Sequence, residues 1–406
     1  MSRILVIDDE PVVHNLVTHT LEPAGHSVAT ASSGMEGIQK AQSMDPDLII
    51  VDVVMTDIQG YEVTRRLRTL PQFARTPILV LTGQSGIPDR LKSFEAGADD
   101  HVVKPFDPAD LVARVTVLLH RADEVRAGHP RSSAQEAARV VAVHSLRGGV
   151  GCSTLAVNLA LAFSGIWETP SLLVDLAVLA GQVALMLNTP LKRTWANITN
   201  VPPGDLELDL LRSVIARHES GLDFIPAPTS PTEAEMLHAD LFVAALQLLR
   251  PEYDYIFFDL PHDFSDLTLH ALDTSDYILL MLAPELASVR AAASAIDTYQ
   301  KLGYGSSRYK LILNNVFQKG GIPREKIEDA LGCHVTVIIP HVYDKFVNSI
   351  NIGAPIMHSN PAEPVSTLIE DFAFFLSKDQ EKKTRPAVPS EAWKRVYKRY
   401  SERKKK

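Results

Sequence analysis

Five polar residues recur at one kind of place in the amino-terminal third of the chain, immediately after short apolar runs. Asp8 and Asp9 follow Ile4–Ile7, Asp52 follows Leu48–Val51, Thr82 follows Ile78–Leu81, and Lys104 with Pro105 follows Val102–Val103. If those runs are strands of an open α/β sheet, the five residues gather beyond the strand carboxyl ends, where such sheets bind ligands. Three carboxylates brought together repel one another unless a hard divalent cation neutralises them, and an all-oxygen set suits Mg2+. Asp8, Asp9 and Asp52 are therefore the candidate metal ligands. With the cation on one side and Lys104 as a point charge on the other, Asp52 is a candidate nucleophile toward a phosphoryl group. Thr82 is then a candidate donor to the product oxygens. Acidic residues at strand ends also cap helices or face water, but five suitable residues in order weigh against that for the set.

A second pattern begins after the apolar run Val140–Val143. It reads Leu146-Arg147-Gly148-Gly149-Val150-Gly151-Cys152-Ser153-Thr154 and leads into the apolar helical stretch Leu155–Phe163. Strand, glycine-rich turn and helix start are what a phosphate cradle requires. Glycines allow positive φ and close backbone approach, and a helix N-terminus offers free N–H groups to an anion. Arg147, Gly148, Gly149, Gly151, Cys152, Ser153 and Thr154 are the candidate residues. The lysine expected after the last glycine is missing, since Cys152 stands in its slot. A Gly-Gly-x-Gly turn alone would be weak evidence; its setting strengthens it.

Both patterns need βα units to position them. The first four runs are each followed by a helix-like segment, and a second series has strand candidates at Leu172–Val174, Asp223–Ile225, Tyr255–Phe258, Tyr277–Leu282, Leu311–Leu313 and Val335–Ile339. The expected fold class is α/β, with two doubly wound domains. We place them at residues 1–120 and 139–377, with a polar linker at 121–138 and a basic tail at 378–406. The 406-residue length allows two or three domains at roughly 150 residues each. With 46% hydrophobic and 22% charged residues, collagen-like, coiled-coil and wholly disordered chains are excluded. Two cysteines cannot build a disulfide framework, which fits a reducing compartment. No signal-peptide design or membrane-spanning run is apparent, so a cytoplasmic protein is expected.

Residues 1 to about 120 resemble the receiver domain of two-component response regulators. The likeness rests on Asp8-Asp9, Leu48 to Asp52, Met55 with Gly60, Thr82-Gly83, Ala96 to Asp100 and Lys104-Pro105-Phe106. It implies a flavodoxin-like fold with strand order 2-1-3-4-5, Asp52 as phosphoacceptor, Mg2+ as cofactor and a histidine kinase as donor. Thr56 stands where the family usually has Pro, and His101 where an aromatic switch residue is common. Residues 139–377 resemble the deviant Walker ATPases of the MinD/ParA type, P-loop proteins of the SIMIBI class. That likeness aligns Arg147 with the signature Lys that reaches across a nucleotide-sandwich dimer, Ser153 with the Mg2+-holding hydroxyl, and Asp175 with the first carboxylate of Asp-x-Asp. Tyr255 to Pro261, including Asp259, resembles the Walker B strand, and Leu313-Asn314-Asn315 the adenine-side segment. Cys152 and Ala177 replace the family's Lys and second Asp. Since one cation or base is worth several powers of ten in phosphoryl transfer, ATP hydrolysis is expected to be negligible, with ATP or ADP bound weakly.

A narrower resemblance, to the CpaE/TadZ branch, rests on Gly221 to Pro228, Tyr253 to Pro261, Phe264 to Thr268, Leu282 to Leu286 and Gly320-Gly321-Ile322. It implies a dimerising factor that localises Tad/Flp pilus secretion machinery, often at a pole. The tail adds one more expectation. Residues 378–406 hold 12 Lys/Arg against 4 Asp/Glu, a surplus of +8 that leaves −17 on the rest of a chain whose net charge is −9. Trp393, Val396, Tyr397 and Tyr400 share one helical face flanked by basic residues. Residues 391–406 are thus a candidate peripheral contact with an anionic membrane; a solvated terminus, or a contact onto the acidic remainder, is the alternative. With the basic residues confined to one short segment, no nucleic-acid partner is expected. The rival to a silent platform is a phosphorylation-gated ATPase.

Overall fold

The computed structural model describes residues 2–73, 76–83, 92, 96–108, 111–119 without 113 and 117, 138–179 and 181–404. The chain divides into two compact units, residues 1–134 and the bulk of 135–406. Residues 121–137, most of the expected linker, lie outside the described residues.

The first unit contains β1 (Arg3–Ile7), α1 (Pro11–Leu21), β2 (Ser27–Ala31), α2 (Gly34–Met44), β3 (Leu48–Asp52), α3 (Gly60–Thr69), β4 (Ile78–Thr82) and β5 (Asp100–Val103). Its sheet is parallel, in the order β2-β1-β3-β4-β5. Side chains alternate between two cores, as the pleat dictates. Ile4, Val6, Leu48, Ile50, Leu79 and Leu81 join one core, and Leu5, Ile7, Ile49, Val51 and Ile78 the other. A strand covered on both faces needs an unbroken apolar run, which is what β1, β3 and β4 have. The edge strand β2, with Ser27 and Thr30, has no such run and escapes the sequence reading.

Among the described residues the second unit has eight strands: β6 (Arg139–His144), β7 (Ser171–Asp175), β8 (Ala216–Arg217), β9 (Asp223–Ile225), β10 (Tyr255–Asp259), β11 (Tyr277–Leu282), β12 (Tyr309–Asn314) and β13 (Val335–Ile339). Their order is β13-β12-β11-β6-β10-β7-β9-β8, parallel except for the short antiparallel edge pair β8 and β9. Four helices bear on the site: α4 (Cys152–Trp167), α5 (Leu286–Lys301), α6 (Pro364–Leu376) and α7 (Glu391–Lys404). Helix α4 is apolar around most of its circumference because it packs against β6, β7 and β10 as well as α6 and α7.

The segment from residue 378 is not a separate tail. Lys378 is buried, and its Nζ lies 3.5 Å from Asp254. In α7, Trp393 and Val396 enter the core of the second unit, and Tyr400 packs against it. The cations beside that face are paired as well. Arg395 and Arg399 meet the buried Glu370, while Arg399 and Arg403 meet Asp371 at 2.7 and 2.8 Å. Most of the apolar face considered for a membrane is thus covered by the protein, with Tyr397 left exposed, and contact onto acidic groups of the chain forms. Among the described residues no helix is long and apolar enough to cross a membrane.

Candidate phosphoacceptor and phosphate-binding sites

Asp8 and Asp9 follow β1, Asp52 and Thr82 end β3 and β4, and Lys104 follows β5, so the sheet brings all five to one edge. One ligand oxygen each from Asp8, Asp9 and Asp52 lies within 4.8 Å of the others. This separation and all-oxygen chemistry fit a hard divalent cation such as Mg2+. Lys104 Nζ is 2.8 Å from Asp8 Oδ2 and 2.7 Å from Asp52 Oδ1, bridging two buried carboxylates. Burial raises the Asp52 carboxyl above its ordinary range, and Lys104 draws it only partly back. For Lys104, burial opposes the charge, but the hydrogen bonds to Asp52 and Asp8 outweigh it, so its pKa is raised. Asp52 Oδ2 accepts the N–H of Val54 at 3.0 Å, which fixes the carboxylate plane. Close packing beneath it requires Gly60, where a Cβ would come within 1.9 Å of the Asp52 carbonyl oxygen. Thr82 is buried at the end of β4, and its carbonyl accepts the Lys104 N–H at 2.6 Å.

The two departures from the receiver pattern have different consequences. Thr56 donates its backbone N–H to Asp9 Oδ2 at 2.9 Å, a bond that proline could not make. His101 is half-buried on β5 in register with Val80, beside Asp100.

In the second unit the glycine-rich turn joins β6 to α4. Gly149 and Gly151 have φ of +78° and +97°, values that a side chain would strain. Gly151 is also closed over by Asn314, whose Nδ2 donates to the Val150 carbonyl at 2.9 Å. Gly148, Ser153 and Thr154 complete the turn and the first residues of α4. Cys152 does not stand out into the loop as a lysine substitute. It is buried in the core, where burial and then the Asp259 charge push its thiol well up.

Asp175 ends β7 and accepts N–H groups of Ala177 and Val183, both at 3.2 Å. Asp259 ends β10, and neither of its buried carboxylate oxygens has a hydrogen-bond partner within normal geometry among the described residues. Burial, then the charge of Asp175, raises Asp259 well above the carboxylate range, and Ser153 is the hydroxyl that partly offsets this. An orphaned carboxylate beside a hydroxyl at a helix start is a donor set that fits Mg2+ carried by a nucleotide. Ser153 and Asp259, with Asp175 behind them, would hold that ion, and the loop amides would hold the phosphates. The bound ion would neutralise negative charge; the cation normally supplied by the loop lysine is absent.

Sequence reasoning missed the partner of Arg147. Its Nε lies 3.1 Å from Glu285 Oε1, just before α5, so within one chain this side chain is already engaged. Glu285 was visible only as part of a matching segment, because a contact spanning so much sequence has no local period. His262, whose Nδ1 is 2.8 Å from the Ser145 carbonyl, was missed as well. Its signal was its place just past a strand ending in Asp259.

Comparison with known proteins agrees with this geometry. Residues 4–116 match the response regulator receiver domain family, and residues 138–302 match the family described as cellulose biosynthesis protein BcsQ. The DNA-binding dual master transcriptional regulator RpaA of Synechocystis is 42% identical over 125 residues, 31% of this chain and 52% of that protein. The alkaline phosphatase synthesis transcriptional regulatory protein PhoP of Bacillus subtilis is 41% identical over 122 residues, 30% of this chain and 50% of that protein. The chain thus spans about half the length of the curated relatives it matches. A ParA family ATPase from Chlorobium tepidum has a TM-score of 0.54 at 25% identity, covering 58% of this chain and 98% of that one. The septum site-determining protein MinD of Pyrococcus horikoshii, solved with Mg-ADP, has a TM-score of 0.53 at 19% identity over 61% of this chain and 100% of its own. The chain therefore carries a response-regulator receiver domain followed by a P-loop domain of the ParA/MinD type.

Proposed function

We propose that this protein is a phosphorylation-controlled assembly factor. Asp52 takes a phosphoryl group from a histidine kinase, and the change at Thr82 and its loop biases a catalytically weak or silent ParA/MinD-like platform. The added charge of about −1.5 to −2 is the switch signal. The observation that carries the reading is a contrast between two sites. Asp8, Asp9 and Asp52 are within reach of one another and Lys104 bridges Asp8 and Asp52, whereas the P-loop slot for a lysine holds the buried Cys152. Ala177 likewise replaces the family's water-activating carboxylate.

The platform acts as a homodimer that binds ATP or ADP weakly and positions an envelope machine, at a pole or on the inner membrane face. The CpaE/TadZ resemblance favours Tad/Flp pilus components as its cargo; the BcsQ match makes a cellulose-synthesising complex the competing cargo. Co-purification from cells separates the two. The chemistry is tested by incubating the full-length protein with a small-molecule phosphodonor and Mg2+, and separately with ATP. The expected outcome is label on Asp52, absent from Asp52→Asn, with ATP turnover at background. Brisk turnover by a protein that takes no label at Asp52 would sink the proposal.

A further inference from the structure

Cys152 leaves the cradle without its loop cation, but another side chain stands over it. His262 lies in the segment after β10, and its Nδ1 sits 2.8 Å from the carbonyl oxygen of Ser145, just before the loop. A carbonyl can only accept, so Nδ1 carries a hydrogen, and Nε2 is the atom whose protonation can change. The Cδ2–Nε2 edge lies against Gly148, where a Cβ would stand 3.5 and 3.7 Å from those two atoms. The ring is solvent-exposed, and its Nε2 has no hydrogen-bond partner among the described residues.

We propose that His262 supplies the missing cation of the phosphate cradle. When protonated, its Nε2–H donates to an oxygen of a nucleotide phosphate seated on the amides of Gly148–Ser153. When neutral, its lone pair faces that oxygen and weakens binding. The inference rests on reading the loop as a phosphate cradle. That reading has support independent of the helix start, because the fully buried Asp259 carboxylate has no hydrogen-bond partner among the described residues. The bond to Ser145 holds the imidazole in place, so little reorganisation is needed when the phosphate arrives.

The other charged groups around His262 behave differently. Arg147 is engaged by Glu285. His144, buried at the end of β6, is pushed down to about 4 and is neutral in the range of interest. On the segment of His262 itself, Asp263 Oδ1 accepts from Ser265 and Thr268. Asp175, pushed up to about 6, does titrate in the range, and Asp259 is raised well above the carboxylate range. Both groups are shared by native protein and variant, so the difference between the two separates their effect from that of His262.

The experiment is ADP binding to the full-length protein in EDTA at about pH 6 and about pH 8. Native protein, His262→Ala and His262→Lys are compared. We expect native affinity to rise about tenfold or more at the lower pH relative to the change in His262→Ala, the size of one hydrogen bond to a charged group. His262→Lys should bind tightly at both values. If native and His262→Ala share one pH dependence while both bind ADP, the role of His262 is overturned and the cradle stands. If native protein binds no ADP at either pH, with or without Mg2+, both fall.

Discussion

Asp175 and Asp259 stand opposite each other at the carboxyl ends of β7 and β10, register partners on adjacent parallel strands. Both are buried, burial pushes Asp175 up to about 6, and Asp259 is raised further still. The folded protein therefore keeps protons that the unfolded chain releases. Their contribution to stability is greatest below the ordinary carboxylate pKa and is lost as pH rises through about 6. Without divalent cation, the native melting temperature should fall between about pH 5 and about pH 8. Asp259→Asn should flatten this slope and gain about 2 kcal/mol at the higher pH. Mg2+ with ADP should raise the native melting temperature but not that of the variant. Calorimetry of both proteins checks this, and a steeper slope in Asp259→Asn would contradict it.

In the receiver domain, Lys104 bridges Asp8 and Asp52. Lys104→Ala leaves two buried carboxylates facing each other, at a cost of about 3 kcal/mol in the absence of Mg2+. Part of the loss should return when Mg2+ is added, because the ion and the ammonium relieve the same repulsion. Urea titrations with and without the metal measure the difference. Phosphodonor labelling of Asp52 should slow as well.

Gly60→Ala tests the packing beneath the phosphoacceptor. Its new methyl meets the Asp52 main chain rather than a flexible side chain, so either α3 or the end of β3 must move. The expected loss is about 2 kcal/mol or more in receiver stability, with reduced labelling of Asp52. Unchanged labelling and an unchanged urea midpoint would show that the site does not depend on that contact.

The terminal helix makes an equally definite prediction. Trp393 is buried against the core shared with α4 and α6, so Trp393→Ala should cost about 3 kcal/mol. A helix that merely lay on the surface would lose about 0.5 kcal/mol or less. Arg399→Ala, which removes one of the two arginines that meet the buried Glu370 among the described residues, should also destabilise. Chemical denaturation of the second unit reads both.

Most of the site residues were legible for one physical reason. Asp8, Asp52, Thr82, Asp175 and Asp259 end strands covered on both faces, and such strands leave continuous apolar runs that locate their own carboxyl ends. Ser27–Ala31 and Ala216–Arg217 were not found, since an edge strand needs no such run and a two-residue strand has no period. The pairs Arg147–Glu285 and Arg395–Glu370 were invisible because they join residues remote in sequence. The aromatic face of α7 was recognised, but spacing of i, i+3, i+4, i+7 fits a lipid surface and a protein groove equally. A better clue was Glu370 with Asp371, two adjacent acids within the otherwise apolar stretch from Ile369 to Leu376, which mark where cations must arrive.

The hydroxyl of Ser390 bonds the carbonyl of Ile166 near the far end of α4, and α7 closes over the same flank. The helix that begins at the phosphate cradle is therefore sheltered by amino acids translated more than two hundred positions later. A nascent chain can complete the receiver early, from strands lying within its first 103 residues. The nucleotide-type half must wait, with its hydrophobic side uncovered, until residues 391–404 have emerged from the ribosome.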